Sequence, residues 1–205
     1  MTMNLYKKVE EFIDDAGEKD SALKELIPHF KRTAHWVTIL DPSADEAFKI
    51  AGIAHDFDRI YNLEKQRQRM KESSQGTQDK DLIKSHQEDA SNMLANFLLQ
   101  NGAEKDVVRR AKMLVSRHEE GGNEEQDLLK DADSISFLET NVAHFIGMIP
   151  LLGYDKVRVK FDYMYNRITS EKAKEIALPM YENAINELTL SRHSGLDPES
   201  RKHRP

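Results

Sequence analysis

The sequence predicts an all-α protein, a compact helical bundle formed by a single domain. Apolar residues recur at helical spacing along most of the chain, and almost no segment shows the apolar–polar alternation of a strand. A chain of 205 residues is long enough to bury a sizeable core in one domain. Residues 1–190 are predicted to form that domain. Residues 191–205 have no apolar period and are predicted to be a flexible, disordered tail.

The first four helices are each predicted from an apolar face and a break. The first is expected around residues 5–13 and the second from Ser21. The third covers residues 30–40 and ends at Asp41-Pro42, since the residue before a proline disfavours helix. The fourth covers residues 47–55.

The remaining helices follow a polar stretch, residues 66–80, which is predicted to be a mobile surface loop because it is rich in Ser, Gln and Gly. A long helix then opens at Asp81 and closes at Asn101-Gly102. The next carries apolar residues from Val107 to Val115 and is broken by two glycines. The last three are predicted over residues 128–145, 154–168 and 170–190.

The composition excludes several classes of protein. The chain has no cysteine, which excludes disulfides, thiolate nucleophiles and zinc fingers, so a bound metal must be held by nitrogen and oxygen. The net charge of −6 argues against nucleic-acid binding. The polar segment at residues 1–10 lacks the apolar run that a signal peptide contains, and no window reaches the ~20 apolar residues of a membrane span. We therefore expect a soluble, cytoplasmic protein.

Four histidines lie at core-facing positions of four predicted helices, namely His35, His55, His86 and His118. A single histidine on an apolar face is more often a core residue with a hydrogen-bond partner than a ligand. Four of them would need four sets of polar partners, whereas a shared metal would satisfy them together. Asp133, four residues after Leu129, adds a carboxylate whose burial would also be less costly beside a cation.

The other four histidines are weaker candidates. His29 lies in a charged junction with Lys31 and Arg32, and His144 is interpreted as a structural residue. His193 and His203 lie in the predicted tail.

The sequence resembles the H…HD…D signature of the HD-domain metal-dependent phosphohydrolase superfamily at His35, the doublet His55-Asp56 and Asp133. The segments around the doublet, AGIAHDFDR, and around Asp133, LLKDADSISFLE, resemble the corresponding family segments. In the latter, the resemblance selects Asp133 over Asp131. The resemblance covers residues 30–140.

This resemblance implies a helical HD-like fold with a first metal held by His35, His55, Asp56 and Asp133. It also implies a second metal held by His86 and His118, with Asp56 bridging the two. The cofactor is then one or two divalent ions, of a kind that the sequence leaves open among Mn, Fe, Co, Ni, Zn and Mg.

The predicted reaction is hydrolysis of a phosphate ester of a nucleotide or another small phosphorylated metabolite by metal-activated water. Arg59 follows the doublet by one helical turn and could reach a phosphoryl oxygen, and Lys160 and Arg167 lie seven residues apart on one helical face. A solvated basic stripe explains that last pair equally well. Asp58 is expected in a surface salt bridge, with the orientation of Arg59 or of a ligand histidine as the alternative.

Two alternatives stay open: a di-iron oxygenase on an HD-like scaffold, and a non-catalytic regulatory module that keeps a structural metal. The partner expected for the leading interpretation is the small phosphorylated substrate, with neither nucleic acid nor membrane. The sequence also leaves room for a homo-oligomer.

Overall fold

The computed structural model describes residues 4–72 and 79–193 and confirms the all-α prediction, since these ranges contain helices and no strand. The helices are α1 (Leu5–Lys19), α2 (Ser21–Lys24), α3 (Ile27–Leu40), α4 (Glu46–Ile53), α5 (Arg59–Glu72), α6 (Lys80–Gln100), α7 (Lys105–Val115), α8 (Glu124–Thr140), α9 (Val142–Gly147), α10 (Ile149–Leu152), α11 (Tyr154–Asn166) and α12 (Glu171–His193).

Several predicted boundaries change. Residues 66–72 belong to α5 and Lys80 begins α6, so the prediction of a surface loop over residues 66–80 is wrong at both ends, and residues 73–78 lie outside the described residues. The helix predicted over residues 128–145 is divided into α8 and α9 at Asn141. Helix α12 continues to His193, and the remainder of the predicted tail, residues 194–205, lies outside the described residues.

Helix α8 is the central element of the fold. Every residue from 129 to 138 is buried, and α8 packs against α3 on one side and against α11 and α12 on another. The core residues before and at the start of α8 form one apolar cluster with α1, α3, α4, α6 and α7. Those from its second half pack with α9 to α12. Polar residues of α8 therefore face the centre of the molecule.

Gly52 allows α4 to approach α3 closely. A Cβ atom at this position would lie 2.8 Å from the Cα atom of Ala34 on α3, closer than real side chains permit. Helix α4 ends one residue later, and the chain turns through residues 54–58. The His55-Asp56 doublet therefore lies at a helix end, directly beside α3 and α8.

Asp131 holds the C-terminal helix. Its carboxylate accepts hydrogen bonds from the backbone N–H groups of Thr169 at 2.8 Å and Ser170 at 2.9 Å, immediately before α12 begins. Buried carboxylates are costly unless they are bonded, and these amides provide the bonds. Among the described helices, none is both long and apolar enough to cross a membrane.

Candidate metal centre

Four histidine rings follow one another through the centre of the first apolar cluster. His29 lies in the first turn of α3, His55 in the turn after α4, His118 in the turn after α7, and His86 on α6. The ring centroids of neighbouring pairs are separated by 5.0 Å (His29 and His55), 5.4 Å (His55 and His118) and 5.1 Å (His118 and His86). Four distant segments of the sequence thus place imidazoles side by side.

The inner triad consists of His29, His55 and Asp133, all of them buried. The Nε2 atoms of the two histidines are 3.1 Å apart. The Oδ1 atom of Asp133 lies 3.1 Å from Nε2 of His29 and 3.5 Å from Nε2 of His55. Three possible ligand atoms therefore surround one point.

The outer triad consists of Asp56, His86 and His118. Oδ1 of Asp56 lies 2.8 Å from Nε2 of His86 and 3.7 Å from Nε2 of His118. The other carboxylate oxygen of Asp56, Oδ2, lies 3.7 Å from Nε2 of His55 in the inner triad. Asp56 therefore presents one oxygen to each triad.

The hydrogen bonds of the Nδ1 atoms fix the state of three rings. Nδ1 of His55 lies 2.9 Å from the carbonyl oxygen of Gly52, and Nδ1 of His118 lies 2.8 Å from that of Val115. Because a carbonyl only accepts, both Nδ1 atoms carry the hydrogen. Ser136 donates its hydroxyl hydrogen to the backbone oxygen of His29, so the 3.0 Å contact between its Oγ and Nδ1 of His29 requires that ring to donate as well.

A metal ion fits these groups. Nε2 of His29, Nε2 of His55 and Oδ1 of Asp133 converge on one point, which is the arrangement of ligand atoms around a cation. Atoms that bind one metal at about 2.0–2.2 Å lie roughly 3 to 3.5 Å from each other, which is the spacing of the inner triad. In addition, Nε2 of His118 is buried and has no hydrogen-bond partner among the described residues. Both triads could hold a metal ion.

The surroundings of His55 and Asp56 favour the protonation states in which these two residues bind metal. Burial lowers the pKa of His55 to about 4, against the opposing effect of Asp56 and Asp133, so this ring is neutral at pH 7. Burial alone would raise the pKa of Asp56, but the nearby charge of Arg59, whose Nε lies 2.5 Å from Oδ2, holds it well below the usual value. Asp56 is therefore ionised.

Asp133 is held by Arg167. Burial opposes its ionisation, and the Arg167 guanidinium keeps the pKa of Asp133 well below the usual value. Arg167 contacts Oδ2 of Asp133 with one terminal nitrogen and Glu119 with the other, while its Nε donates to Oγ of Ser134 at 2.8 Å. Each of its nitrogens thus faces a protein oxygen.

One cavity of about 80 Å³ opens beside the outer triad, between α5 and α6. His86, Arg59, Glu119 and Lys160 line the end near the triad. The ammonium of Lys160 lies 5.2 Å from the ring centroid of Phe137, and burial lowers its pKa, although Glu119 opposes that effect. A ligand in this cavity would meet two cationic side chains next to the outer triad.

Of the six predicted metal ligands, the structure brings five together: His55, Asp56, His86, His118 and Asp133. The prediction that His35 belongs with them is wrong. His35 is exposed on α3 and lines a separate surface cavity with Tyr6 and Glu46. Its place is taken by His29, six residues earlier, because the first turn of α3 is the part that faces Asp133 on α8.

The predicted phosphate-binding residues are divided by the structure. Arg59 and Lys160 line the cavity beside the outer triad. Arg167 does not line that cavity and is occupied by Asp133 and Glu119. Its contacts support a role in positioning Asp133 instead of a contact with substrate.

Sequence reasoning preferred the wrong role for one carboxylate, Asp58, and overlooked a second, Glu119. Asp58 is fully buried, with Oδ2 at 2.8 Å from Nδ1 of His86, so the prediction of a surface salt bridge is wrong. Glu119 contacts Arg167 and lines the cavity. The charges of Arg167 and Lys160 lower the pKa of Glu119 to about 2, although burial opposes the shift. The signal for Asp58 was its position, two residues after Asp56 in the same turn.

Comparisons with known proteins place the chain in a family. No curated protein and no solved structure matches it. A family model matches residues 8–188, a range that contains both triads and the cavity beside them. The chain therefore belongs to the family described as Domain of unknown function (DUF4202).

Proposed function

We propose that this protein is a metal-dependent phosphohydrolase that acts on a phosphate ester of a nucleotide or another small phosphorylated metabolite. It is supported by the resemblance of His55-Asp56 and Asp133 to the HD-domain superfamily, with His29 in the position first given to His35. We further propose that the protein binds two divalent ions, one in each triad.

The observation that carries the proposal is the position of Asp56. Its Oδ2 faces Nε2 of His55 at 3.7 Å and its Oδ1 faces Nε2 of His86 at 2.8 Å. A carboxylate between two sets of imidazoles is suited to bridge two cations, and paired metals are a common means of hydrolysing phosphate esters. In a purely structural core, Nε2 of His118 would stay buried without a hydrogen-bond partner among the described residues, which is costly.

In this proposal each residue has a defined task. His29, His55 and Asp133 would hold the first ion, His86 and His118 the second, and Asp56 both. Bound divalent ions would lower the pKa of a water molecule and offset charge on the phosphoryl oxygens. Arg59 and Lys160 bind and orient the phosphate from the cavity side. Arg167 holds Asp133 in its orientation, and Asp58 holds the His86 ring through Nδ1.

The charge of the cavity supports a phosphorylated substrate. Arg59 and Lys160 lie beside the outer triad, and the same cavity is also lined by Lys65 and Arg69. These four Lys and Arg side chains outnumber the two carboxylates that line the same cavity, those of Asp89 and Glu119. Arg and Lys are the side chains that proteins use to bind phosphate.

The test combines metal analysis with a phosphoester screen. Purified protein is analysed for bound metals and then assayed against nucleotides and small phosphate esters with Mn, Fe, Co, Ni, Zn or Mg supplied. We expect about two ions per chain, and phosphate release that Asp56→Asn abolishes. Asp162→Asn on α11, which removes a carboxylate that pairs with Arg158 away from the triads, serves as the matched control and keeps activity. Two bound metals with neither turnover of any ester nor oxygen consumption would instead identify a non-catalytic metal-binding module.

The composition of each triad favours a second candidate, a di-iron oxygenase. Each triad contains two histidines and one carboxylate, the ligand set of many non-haem iron oxygenases. This candidate predicts tightly bound iron in protein purified from aerobic cells, oxygen consumption with an organic substrate, and no phosphate release. Phosphatase activity with manganese or cobalt and without oxygen would exclude it.

A further inference from the structure

The side chain of Lys160 is held in place at the cavity. It is half-buried on α11 and lines the cavity together with His86 and Glu119. Its ammonium lies 5.2 Å from the ring centroid of Phe137 and 5.5 Å from that of Tyr163. The faces of two aromatic rings attract a cation, so they fix the direction of a long side chain that is mobile when it lies in solvent.

The ammonium of Lys160 is free to transfer a proton. In the described part of the chain it forms no ion pair, and Glu119 in the same cavity is paired with Arg167. Burial lowers the pKa of Lys160, and the charges of Arg167 and Arg59 act in the same direction, against those of Glu119 and Asp133. Lys160 therefore releases its proton more readily than a lysine in solvent.

The neighbouring groups of the cavity are unsuited to donate a proton. Arg59 keeps its guanidinium protons at any physiological pH. Burial opposes the ionisation of Glu119, but two neighbouring cations lower its pKa to about 2, so it holds no proton at pH 7. His86 is assigned to the outer ion through Nε2, which then carries no proton. Lys65 lines the cavity as well but is exposed, so its charge stays hydrated.

Hydrolysis of a phosphate ester requires a proton for the leaving oxygen. The attacking and leaving oxygens lie roughly in line on opposite sides of phosphorus. If water attacks from the side of the triads, the leaving oxygen points into the cavity and meets the side chains that line it. An alkoxide is a strong base and leaves slowly unless a positioned acid transfers a proton to it.

We propose that Lys160 is the general acid of this reaction and that its ammonium donates a proton to the leaving oxygen of the ester. The bond between phosphorus and that oxygen breaks, its electron pair stays on the oxygen, and the proton from Lys160 completes an alcohol. A water oxygen forms the new bond to phosphorus and releases one proton to solvent, from which the neutral amine regains its own. This inference rests on the proposed phosphohydrolase function and gives Lys160 a catalytic task beyond binding phosphate.

The test compares two esters whose leaving groups differ in basicity, phenyl phosphate and 4-nitrophenyl phosphate, on the manganese-loaded protein. Phenol, like the tyrosine side chain, has a pKa of about 10, so phenolate needs a proton far more than 4-nitrophenolate does. Lys160→Arg keeps the positive charge but holds its protons too tightly to donate them. We expect kcat/KM to fall about 100-fold for phenyl phosphate and less than about threefold for 4-nitrophenyl phosphate.

Two further variants protect this comparison. Lys156→Arg makes the same change one turn earlier on α11, at an exposed position outside the cavity, and should keep both kcat/KM values within about twofold of the wild type. Lys160→Gln avoids the larger arginine between two rings and should also impair phenyl phosphate more than 4-nitrophenyl phosphate. Circular dichroism and metal analysis verify the fold. An equal loss for both esters in Lys160→Arg, which a role in phosphate binding alone predicts, overturns the inference.

A second measurement does not depend on turnover. Trace acetylation with acetic anhydride over a series of pH values, followed by mass spectrometry of the peptides, gives the pH at which each lysine loses its proton. We expect this midpoint to be lower for Lys160 than for the exposed Lys156, because burial disfavours the ammonium. A midpoint equal to or above that of Lys156 overturns the inference.

These measurements separate the inference from the function it rests on. A wild type that hydrolyses no ester contradicts the phosphohydrolase and, with it, the role of Lys160. Hydrolysis in which both esters respond equally to Lys160→Arg supports the phosphohydrolase and rejects Lys160 as the general acid. If the wild type hydrolyses other esters but neither aryl phosphate, the acetylation midpoint decides.

Discussion

The inner and outer triads contain the same residue types but differ in their surroundings. In the inner triad all three residues are buried, and their second contacts go to Ser136, to the carbonyl of Gly52 and to Arg167. In the outer triad the side chain of His86 is 12% exposed and lines the cavity. Its Nδ1 faces the carboxylate of Asp58 in place of a neutral acceptor.

This difference indicates a division of tasks. An enclosed set of ligands on α3, on α8 and in the turn after α4 is suited to retain an ion. A set that borders the cavity is suited to contact substrate and to exchange its ion with solvent. Atoms that surround a ligand and hold its orientation also tune its affinity for metal. The two triads therefore should respond differently to mutation and to pH.

The largest effect is expected at the inner triad. His29→Gln removes a ligand atom that lies 3.1 Å from both His55 and Asp133, so we expect loss of the inner ion and a decrease in phosphate release of at least about 100-fold, equivalent to about 2.7 kcal/mol. Elemental analysis and steady-state kinetics measure the two effects, and circular dichroism verifies the helix content.

His35→Gln is the matched control on the same helix. Because this residue is exposed, its variant should keep metal content and activity within about twofold of the wild type. The reverse result, with His35 essential and His29 dispensable, would contradict the inner triad.

The contrast between His29 and His35 shows how far the sequence reaches. Periodicity identifies helices because core contacts repeat every three to four residues, and the local segments around His55-Asp56 and Asp133 identify those three residues. Periodicity does not show which turn of α3 faces α8, since that depends on the angle and position at which the two helices cross. His29 was discounted for its charged neighbours Lys31 and Arg32, whose side chains point to Asp14 and Glu139 at the surface and do not affect the buried ring.

Other residues were out of reach for the same reason. Arg167 was predicted to bind phosphate or to lie in a solvated basic stripe, and its pairing with Glu119 and Asp133 depends on how α11 packs on α8. The prediction that His86 and His118 are neighbours is confirmed. Each lies on the apolar face of its predicted helix, and the family resemblance implied that both bind the same metal ion.

A smaller loss is expected at the outer triad. His118→Gln should reduce the metal content from about two ions to about one and lower phosphate release roughly tenfold to 100-fold, while the inner ion stays. The reason is that Nε2 of His118 lies 3.7 Å from Oδ1 of Asp56 in the outer triad and forms no hydrogen bond with His29, His55 or Asp133 of the inner triad. Metal analysis after dialysis measures the stoichiometry. A wild type with one ion, or a variant that loses both, would show that the triads are not separate sites.

The next effect concerns the residue that orients His86. Asp58→Asn keeps the size of the side chain but weakens the hydrogen bond that Nδ1 of His86 donates, so the affinity for the outer ion should fall about 10- to 100-fold. Competition with a metal chelator measures it. Ser136→Ala, the corresponding change beside His29, should lower the affinity for the inner ion and leave the outer ion unchanged. If Asp58→Asn affects both ions equally, the outer triad has no orienting partner of its own.

The affinity for metal should depend on pH differently in the two triads. Burial disfavours a charged His86, but hydrogen bonds to Asp56 and Asp58 outweigh it and raise the pKa of His86 to about 10 in the metal-free protein. Metal binding requires the neutral ring, so the outer ion must displace a proton at any pH below that value. Its affinity should therefore increase about tenfold per pH unit from pH 7 to pH 9, because each unit lowers the cost of removing that proton by about 1.36 kcal/mol.

His55 behaves in the opposite way and provides the contrast. Burial lowers its pKa to about 4, so above pH 6 this ring contributes no proton when the inner ion binds. Calorimetric titration of metal-free protein in buffers with different ionisation enthalpies counts the protons released, and His86→Gln should remove the proton assigned to the outer ion. A release that persists in His86→Gln would assign the titrating group to another residue and would remove the electrostatic basis for treating the outer triad as the exchangeable site.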